Sequence, residues 1–160
     1  MIFITLGSQK FQFNRVLKEV DKLIEKGVIK EQVYAQIGYS DYKPKNYSYE
    51  NFVDRNTFSK FMDNCDLLIT HGGTGAIITG VKKEKKVIAI PRLKKYGEHV
   101  DDHKLDIVSQ FKDMGFIYAV YDVQELGEAL TLIRGMSFKR YHSNTTAVIQ
   151  IIDDFINLNL

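Results

Sequence analysis

The sequence has few of the residues that cross-link or interrupt a small fold. Of its 160 residues, one is cysteine, two are proline and none is tryptophan. A single cysteine cannot form an internal disulfide, so Cys65, which comes just before the apolar run Leu67 to Ile69, is predicted to be a small buried side chain. A hydrophobic fraction of 44% with so little proline excludes the disordered and collagen-like classes. We therefore expect one globular domain over residues 1–160, stabilised by its own apolar core.

Long hydrophobic runs are also missing. No window approaches the roughly 18 apolar residues that a membrane-spanning helix requires. The opening segment Met1 to Leu6 is too short for the apolar region of a secretion signal, and it lacks the basic lead of such a signal. The sequence therefore predicts a cytoplasmic protein.

Charge is nearly balanced over the whole chain but is unevenly distributed along it. The formal net charge is +2, yet residues 82–95 hold seven of the 22 basic side chains and one of the 20 acidic ones. This concentration predicts a basic face that would suit an anionic lipid surface, a nucleic acid or a phosphorylated substrate. A solvated turn without a partner is the alternative. The basic residues of the segment are Lys82, Lys83, Lys85, Lys86, Arg92, Lys94 and Lys95.

Apolar segments of strand length alternate with amphipathic segments of helix length. This alternation predicts a doubly wound, Rossmann-like α/β fold, in which helices cover both faces of a parallel sheet. Ligands bind such sheets beyond the carboxyl ends of the strands, near the reversal of strand order. The predicted strands cover residues 2–6, 33–37, 47–52, 67–70, 87–90 and 116–120. The predicted helices cover residues 16–24, 57–64, 74–81, 100–112 and 124–133, and a last one carries Val148, Ile151, Ile152, Phe155 and Leu158.

A glycine-rich turn follows the predicted strand 67–70. The residues His71-Gly-Gly-Thr-Gly75 lead into a helix, whose free amides and positive dipole end would face a bound anion. The turn is not a dinucleotide fingerprint, because the third glycine would fall at Ile78, and it lacks the lysine of a P-loop. It predicts a site for a phosphorylated ligand, with Thr74 capping the helix or binding a phosphate oxygen. A turn that serves packing alone is the alternative.

A second group of polar residues occupies positions 96–104, just after the predicted strand 87–90. His99 and His103 are four residues apart, a spacing that would let them share a metal on one helix face with Glu98 or Asp102. No cysteine or distant third ligand accompanies them. Hydrogen bonds to ribose or sugar hydroxyls are therefore the favoured interpretation, and ordinary surface side chains are the alternative.

Together these segments resemble the C-terminal domain of glycosyltransferase family 28. The resemblance rests on the segments Thr70 to Gly75, Val87 to Arg92 and Tyr96 to His103, which occur in the family's order and spacing, and on the opening Ile4 to Ser8. It covers nearly the whole chain. The sequence is most similar to small capsular and exopolysaccharide subunits, which themselves resemble the cytosolic half of the split N-acetylglucosaminyltransferase that builds dolichol-linked oligosaccharide.

The resemblance implies the C-terminal, nucleotide-sugar-binding half of a GT-B fold. In the family the glycine loop meets the diphosphate, and the segment similar to residues 52–54 reads uracil through its backbone. Thr79 stands where many relatives have a ribose-binding glutamate, and Lys104 stands where many have glutamine. The implied nucleotide-sugar-binding residues are Gly7, Ser8, Phe52, Val53, Gly72, Gly73, Thr74, Gly75, Glu98, Asp102, His103 and Lys104. The candidate catalytic residues are His71 and His103.

The implied function is a metal-independent, inverting transfer of a hexose from a UDP-sugar to a lipid-linked saccharide in capsular or exopolysaccharide synthesis. No cofactor is expected beyond the donor substrate, and no nucleic acid is expected as a partner. A membrane-anchored subunit would bind the acceptor and hold this chain at the inner face of the membrane. The alternatives are a non-catalytic, nucleotide-sugar-binding enhancer of another glycosyltransferase, a nicotinamide-dependent oxidoreductase, and a protein whose basic segment docks on nucleic acid.

Overall fold

Six parallel strands form one sheet at the centre of the protein. The computed structural model describes residues 1–144 and residue 150 of the chain. The strand order is β3-β2-β1-β4-β5-β6, so the chain builds one half of the sheet outward from β1 and then crosses back to build the other half from β4. The strands are Ile2–Thr5 (β1), Val33–Gln36 (β2), Ser48–Glu50 (β3), Leu67–Thr70 (β4), Lys86–Ala89 (β5) and Tyr118–Ala119 (β6).

Helices connect the strands and cover both faces of the sheet. Within the described residues there are five α-helices, and none combines the length and the apolar character needed to cross a bilayer. The predicted last helix lies outside the described residues. The helices are Asn14–Glu25 (α1), Arg55–Asn64 (α2), Thr74–Lys82 (α3), His103–Asp113 (α4) and Leu126–Ile133 (α5), with short 3₁₀ turns at Lys94–Tyr96 and Val123–Glu125. The predicted single α/β domain with a doubly wound parallel sheet is confirmed.

The two faces of the sheet bury two separate apolar cores. Alternate residues of a strand point to opposite faces, so Ile2 and Ile4 of β1 pack with α1 and α5, whereas Phe3 packs with α2, α3 and α4. Cys65 is buried in the second core, as predicted. This period of two leaves the last residues of the central strands, Thr5 and Thr70, on the same face as α3.

Four helices begin at other residues than the sequence predicted: α1 and α5 differ by two residues, and α2 and α4 differ for reasons that the structure shows. Helix α2 begins earlier, at Arg55, because the Asp54 carboxylate accepts hydrogen bonds from the Asn56 and Thr57 amides, at 2.9 and 3.0 Å, and caps the helix. Helix α4 begins later, at His103, because side chains hold the preceding loop in a non-helical path. Strand β6 is shorter than expected and has two residues.

The predicted basic face at residues 82–95 is wrong. Strand β5 runs through this segment, so Lys82 and Lys83 lie at the amino edge of the sheet, whereas Lys94 and Lys95 lie beyond its carboxyl edge. Arg92 is fully buried. Three lysines of the segment bond to nearby groups. Lys83 pairs with the Asp63 carboxylate, Lys85 donates to the Asp63 carbonyl, and Lys86 donates to the carbonyls of Ile133 and Arg134.

The contact of α3 with the sheet depends on Gly80. A Cβ atom on Gly80 would lie 2.7 Å from Leu68 Cδ2 and 2.9 Å from Val87 Cγ2. We expect Gly80→Ala to be less stable than Gly75→Ala by roughly 1 to 3 kcal/mol, because overpacking pushes α3 from the sheet. Both changes add the same helix propensity, and a Cβ on Gly75 meets open space. Urea-induced unfolding measures the difference, and equal stabilities would contradict the tight contact.

Candidate nucleotide-sugar site

A cleft of about 350 Å³ lies beyond the carboxyl ends of β1, β2 and β4. The strand order reverses between β1 and β4, which is where ligands bind in open α/β sheets. Gly7 and Gly38 have positive φ values of 76° and 59°, and a Cβ on Gly38 would lie 2.7 Å from the Gly7 carbonyl oxygen. Only glycine allows the loops to approach so closely. Of the predicted residues, those lining the cleft are Gly7, Ser8, His71, Gly73, Gly75 and Lys104.

The glycine-rich turn brings the amino end of α3 to this cleft. Gly72 has a φ of 80°, Gly73 is the N-cap residue, and Thr74 is the first helical residue. Thr74 is therefore not the cap that the sequence predicted, and no side chain caps this helix. The amides of the first turn have no intrahelical acceptor, so they and the helix dipole favour an anion at the mouth of the cleft.

His71 lies in the wall of the cleft between two glycines. Its Nδ1 is 3.3 Å from both the Thr5 carbonyl oxygen and the Thr70 hydroxyl oxygen. A Cβ on Gly7 or Gly73 would lie 2.7 or 2.5 Å from Nε2. Burial, reinforced by the charge of Arg92, lowers the pKa of His71 to about 4. A ring with this pKa is a weak base at neutral pH, which argues against the predicted catalytic role.

The first turn of α4 supplies the one charged side chain among the lining residues. Lys104 lines the cleft beside the glycine turn, with its Cβ 3.7 Å from where a Cβ on Gly72 would lie, so it adds a positive charge to this part of the cleft. His103 is exposed, and its amide donates to Asp101. Asp102 accepts a hydrogen bond from the Lys94 amide at 2.9 Å and so fixes the loop before the helix. His99 precedes α4 and pairs with Asp101, so the two histidines do not share a helix face as the spacing suggested.

Glu98 lies inside the protein, which differs from the prediction that it faces the donor sugar. Its carboxylate pairs with Arg15, with Nε at 2.7 Å, and accepts a hydrogen bond from the Leu93 amide at 2.9 Å. The Arg15 guanidinium also donates to the Pro91 carbonyl at 2.8 Å. Glu98 therefore joins α1 to the loop after β5.

The guanidinium of Arg92 ties the same loop to the loop after β1. It is fully buried and donates to four carbonyl groups at 2.5 to 3.2 Å. Its Nε atom is the buried side-chain nitrogen that has no partner among the described residues. Burial lowers the pKa of Arg92 to about 10, so the group stays charged at neutral pH. The four carbonyl groups belong to Leu6, Phe11, Gln12 and Glu98.

The far end of the cleft carries residues that sequence reasoning missed. Gln36, the last residue of β2, is 8% exposed, and its Oε1 accepts a hydrogen bond from the Val53 amide at 3.1 Å. Phe52, which the sequence did predict, is not among the lining residues and is half-exposed beside Tyr39, with the ring centroids 5.2 Å apart. A polar residue at the end of an otherwise apolar strand was the signal that could have identified Gln36. The other lining residues outside the prediction are Thr5, Gln9, Phe58, Ala76 and Thr79.

Metal-ligating side chains are not gathered in the part of the chain that the structure describes. No group of three or more His, Cys, Asp or Glu side chains lies close enough together there to hold a metal ion. Beside the single histidine His71, the lining residues supply amide, hydroxyl, aromatic, glycine and lysine groups. Such a set suits a ligand that combines an anionic group with polar, partly aromatic parts.

The sequence model of the glycosyltransferase family 28 C-terminal domain matches residues 1–157 of the chain. The chain belongs to this family. It is also similar to the UDP-N-acetylglucosamine transferase subunit ALG13 of Candida albicans (strain SC5314 / ATCC MYA-2876), with 36% identity over 76 residues, which are 47% of this chain and 24% of that protein. The chain thus spans about a quarter of that relative's length.

Solved structures place the family 28 domain among glycosyltransferase folds. The glycotransferase of kitacinnamycin has a TM-score of 0.60 and 16% identity, covering 84% of this chain and 35% of that one. The solution structure of ALG13 has a TM-score of 0.57 and 16% identity, covering 94% of this chain and 93% of that one. The predicted fold, the C-terminal half of a GT-B glycosyltransferase, is confirmed.

The low pKa of His71 makes the stability of this family 28 domain depend on pH. The unfolded ring, with a pKa near 6.5, binds a proton that the folded ring takes up only near pH 4, so stability falls as pH drops from 6.5 to 4. We expect this residue to contribute a loss of roughly 2 kcal/mol between pH 7 and pH 5. Urea unfolding of the wild type and of His71→Gln at both pH values isolates this contribution. An equal pH-dependent loss in the two proteins would contradict a buried neutral ring.

Proposed function

We propose that this chain is the donor-binding subunit of a UDP-sugar-dependent, inverting hexosyltransferase. The observation that carries the proposal is the cleft at the reversal of strand order, which is lined by the uncapped amino end of α3 together with Lys104. In this arrangement the amides of residues 73–75 and the lysine stabilise the negative charge that grows on the departing diphosphate, while the acceptor hydroxyl attacks the anomeric carbon. Well-placed donors of this kind contribute on the order of 3 kcal/mol each in other enzymes.

The acceptor in this proposal is a lipid-linked saccharide, bound by a second, membrane-anchored polypeptide. The Candida albicans relative is named as a subunit of a transferase, which supports a division of the enzyme between chains. The motifs that resemble capsular and exopolysaccharide subunits support a role in the synthesis of such a polymer. The partner would hold this chain at the inner face of the membrane.

The composition of the cleft supports a catalytic base on the partner. Within the described residues, no Asp or Glu lines the cleft, and the histidine that does has a pKa of about 4. His103 is exposed at the start of α4, where an incoming acceptor has access to it. The absence of Asp and Glu from the described lining and the low pKa of His71 also favour the second candidate function, a non-catalytic nucleotide-sugar-binding subunit that enhances another glycosyltransferase.

A side chain at Gly75 tests the diphosphate position directly. Gly73 is a poor choice, because a Cβ there would displace His71, whereas a Cβ on Gly75 meets no atom within 4 Å and projects from a residue that lines the cleft. We expect Gly75→Val to weaken UDP binding by roughly a hundredfold, because the added methyl groups occupy the space of the anion and shield the helix amides. Titration calorimetry with UDP measures the effect.

Gly135→Val is the matched control. Gly135 lies after α5, away from the cleft, and its nearest atom to an added Cβ is the Leu132 carbonyl oxygen at 3.9 Å. This variant is expected to bind UDP as the wild type does. If Gly75→Val keeps its fold, as judged by urea unfolding, and also keeps full affinity for UDP, the diphosphate does not bind at the amino end of α3.

A product assay separates the enzyme from the enhancer. The purified chain, membranes containing the candidate partner, and the two combined are each incubated with radiolabelled UDP-sugars and a lipid-linked acceptor. We expect labelled lipid in the combined sample at a rate at least roughly a hundredfold above either component, because the base and the acceptor site come from the partner. Transfer by the partner alone, merely accelerated by this chain, would favour the enhancer.

A further inference from the structure

The loop after β5 presents lysine and apolar side chains to solvent. Residues 94–100, the lysine turn, lie beyond the carboxyl end of this strand, outside the cleft. Lys94 and Lys95 are exposed, Tyr96 is 49% exposed, and Val100, at 64%, is the most exposed large hydrophobic residue of the described chain. The transfer mechanism uses none of these four side chains.

Buried groups hold the lysine turn in one conformation. The Glu98 carboxylate, which is 1% exposed, pairs with Arg15 and accepts a hydrogen bond from the Leu93 amide. The Tyr96 carbonyl accepts from Gln12 Nε2 at 2.8 Å, and the Tyr96 ring lies 4.9 Å from the Arg15 guanidinium. A buried ion pair is costly to form, yet this one supports a turn whose outer side chains face solvent. The turn is thus preorganised, which lowers the entropy that binding on its outer face would cost.

The charge that the lysine turn presents is positive. Its one acid, Glu98, lies inside the protein, and the loop after β1 adds the exposed Lys10 beside it, because the rings of Phe11 and His99 pack 5.5 Å apart. The two acids that follow the turn already have partners in the protein. Asp101 pairs with His99 at 3.0 Å, and Asp102 accepts a hydrogen bond from the Lys94 amide.

The lysine turn lies at the same edge of the sheet as the cleft. Strand β5 neighbours β4, so the loops after these strands start about 5 Å apart, one strand spacing. The loop after β4 is the glycine-rich turn that leads into α3. A surface that touches the lysine turn would therefore lie beside the mouth of the cleft.

The composition of the turn fits the surface of an anionic bilayer better than the surface of a protein. Lysine is depleted at protein–protein interfaces. Beside an anionic leaflet, in contrast, a lysine gains electrostatic attraction while its ammonium group stays hydrated. Tyrosine is enriched at the boundary between membrane and water, where its ring is in apolar surroundings and its hydroxyl is wet. An exposed valine supplies an apolar group to bury between headgroups.

We propose that the lysine turn binds directly to an anionic lipid bilayer. Lys94 and Lys95 contact the lipid phosphates, Tyr96 lies at the level of the headgroups, and Val100 enters the apolar boundary. The contact places the mouth of the cleft at the membrane surface, where a lipid-linked acceptor presents its saccharide. One weak contact of this kind is reversible, and a second anchor makes it stable. The inference goes beyond the proposed function, in which the partner alone holds the chain at the membrane.

Paired variants at opposite edges of the sheet test the contact. Lys94→Gln/Lys95→Gln removes two charges from the lysine turn. Lys26→Gln/Lys30→Gln is the matched control, because these exposed lysines flank the exposed Val28 in the loop before β2, at the amino edge of the sheet. Sedimentation with phosphatidylcholine vesicles, with and without phosphatidylglycerol, measures binding at low ionic strength, where charges are least screened.

The wild type is expected to bind the phosphatidylglycerol vesicles roughly tenfold or more tightly than the neutral ones. The double variant of the turn is expected to lose roughly tenfold or more of that affinity, while the control stays within about twofold of the wild type. Val100→Asp is also expected to weaken binding by roughly tenfold, and Val28→Asp to leave it unchanged, because only Val100 enters the bilayer.

A wild type that does not bind the anionic vesicles overturns the lipid contact, and so does an equal loss in the turn variants and their controls. Titration calorimetry with UDP keeps the proposed function separate. The turn variants are expected to bind UDP as the wild type does, because their side chains lie outside the cleft. A wild type that does not bind UDP overturns the proposed function, whatever the vesicles show.

Discussion

The buried guanidinium of Arg92 is the interaction on which the geometry of the cleft depends. It donates to carbonyl groups of residues 6, 11 and 12 after β1 and of residue 98 after β5, so one side chain joins two loops that are more than 80 residues apart in sequence. Burying a charge is costly unless it is paired and hydrogen-bonded, and the bonds from the two terminal nitrogens together with the nearby Glu98 carboxylate offset much of that cost. Burial and, to a smaller extent, this charge lower the pKa of His71, which keeps the ring neutral in the cleft wall.

Glycine contacts then bring the remaining walls together. The Gly7 backbone touches Gly38 on one side and the His71 ring on the other, while Gly73 packs against the same ring. These approaches leave no room for a Cβ, so the loops after β1, β2 and β4 have a fixed separation rather than an adjustable one. Preorganised amides of this kind stabilise developing charge without the cost of reorganising during the reaction. The cleft is thus shaped by backbone packing, and side chains such as Gln36 and Lys104 add polar groups to its walls.

Local sequence predicted one half of the site and missed the other. The glycine loop was recognisable because a strand, a turn and a helix follow one another within fourteen residues, 66–79, and their geometry needs no distant contact. Glu98 was expected in the cleft, but its partner Arg15 lies 83 positions away and draws it into the interior. Gln36 was overlooked because its side chain is held in the cleft wall by a hydrogen bond from the Val53 amide, and Val53 comes close to it only after β3 pairs with β2. The basic segment was expected to form one face, but a strand divides it.

The sequence by itself determined the alternation of strands and helices, the parallel sheet, the family and the glycine loop, because hydrophobic period and turn residues act over short distances. Only the tertiary structure decided which polar groups reach the cleft. Whether Arg92, Glu98 and Gln36 face solvent, a ligand or the interior depends on partners brought close by strand pairing. The free energy of a buried charge or amide is set by those partners and not by its neighbours in sequence.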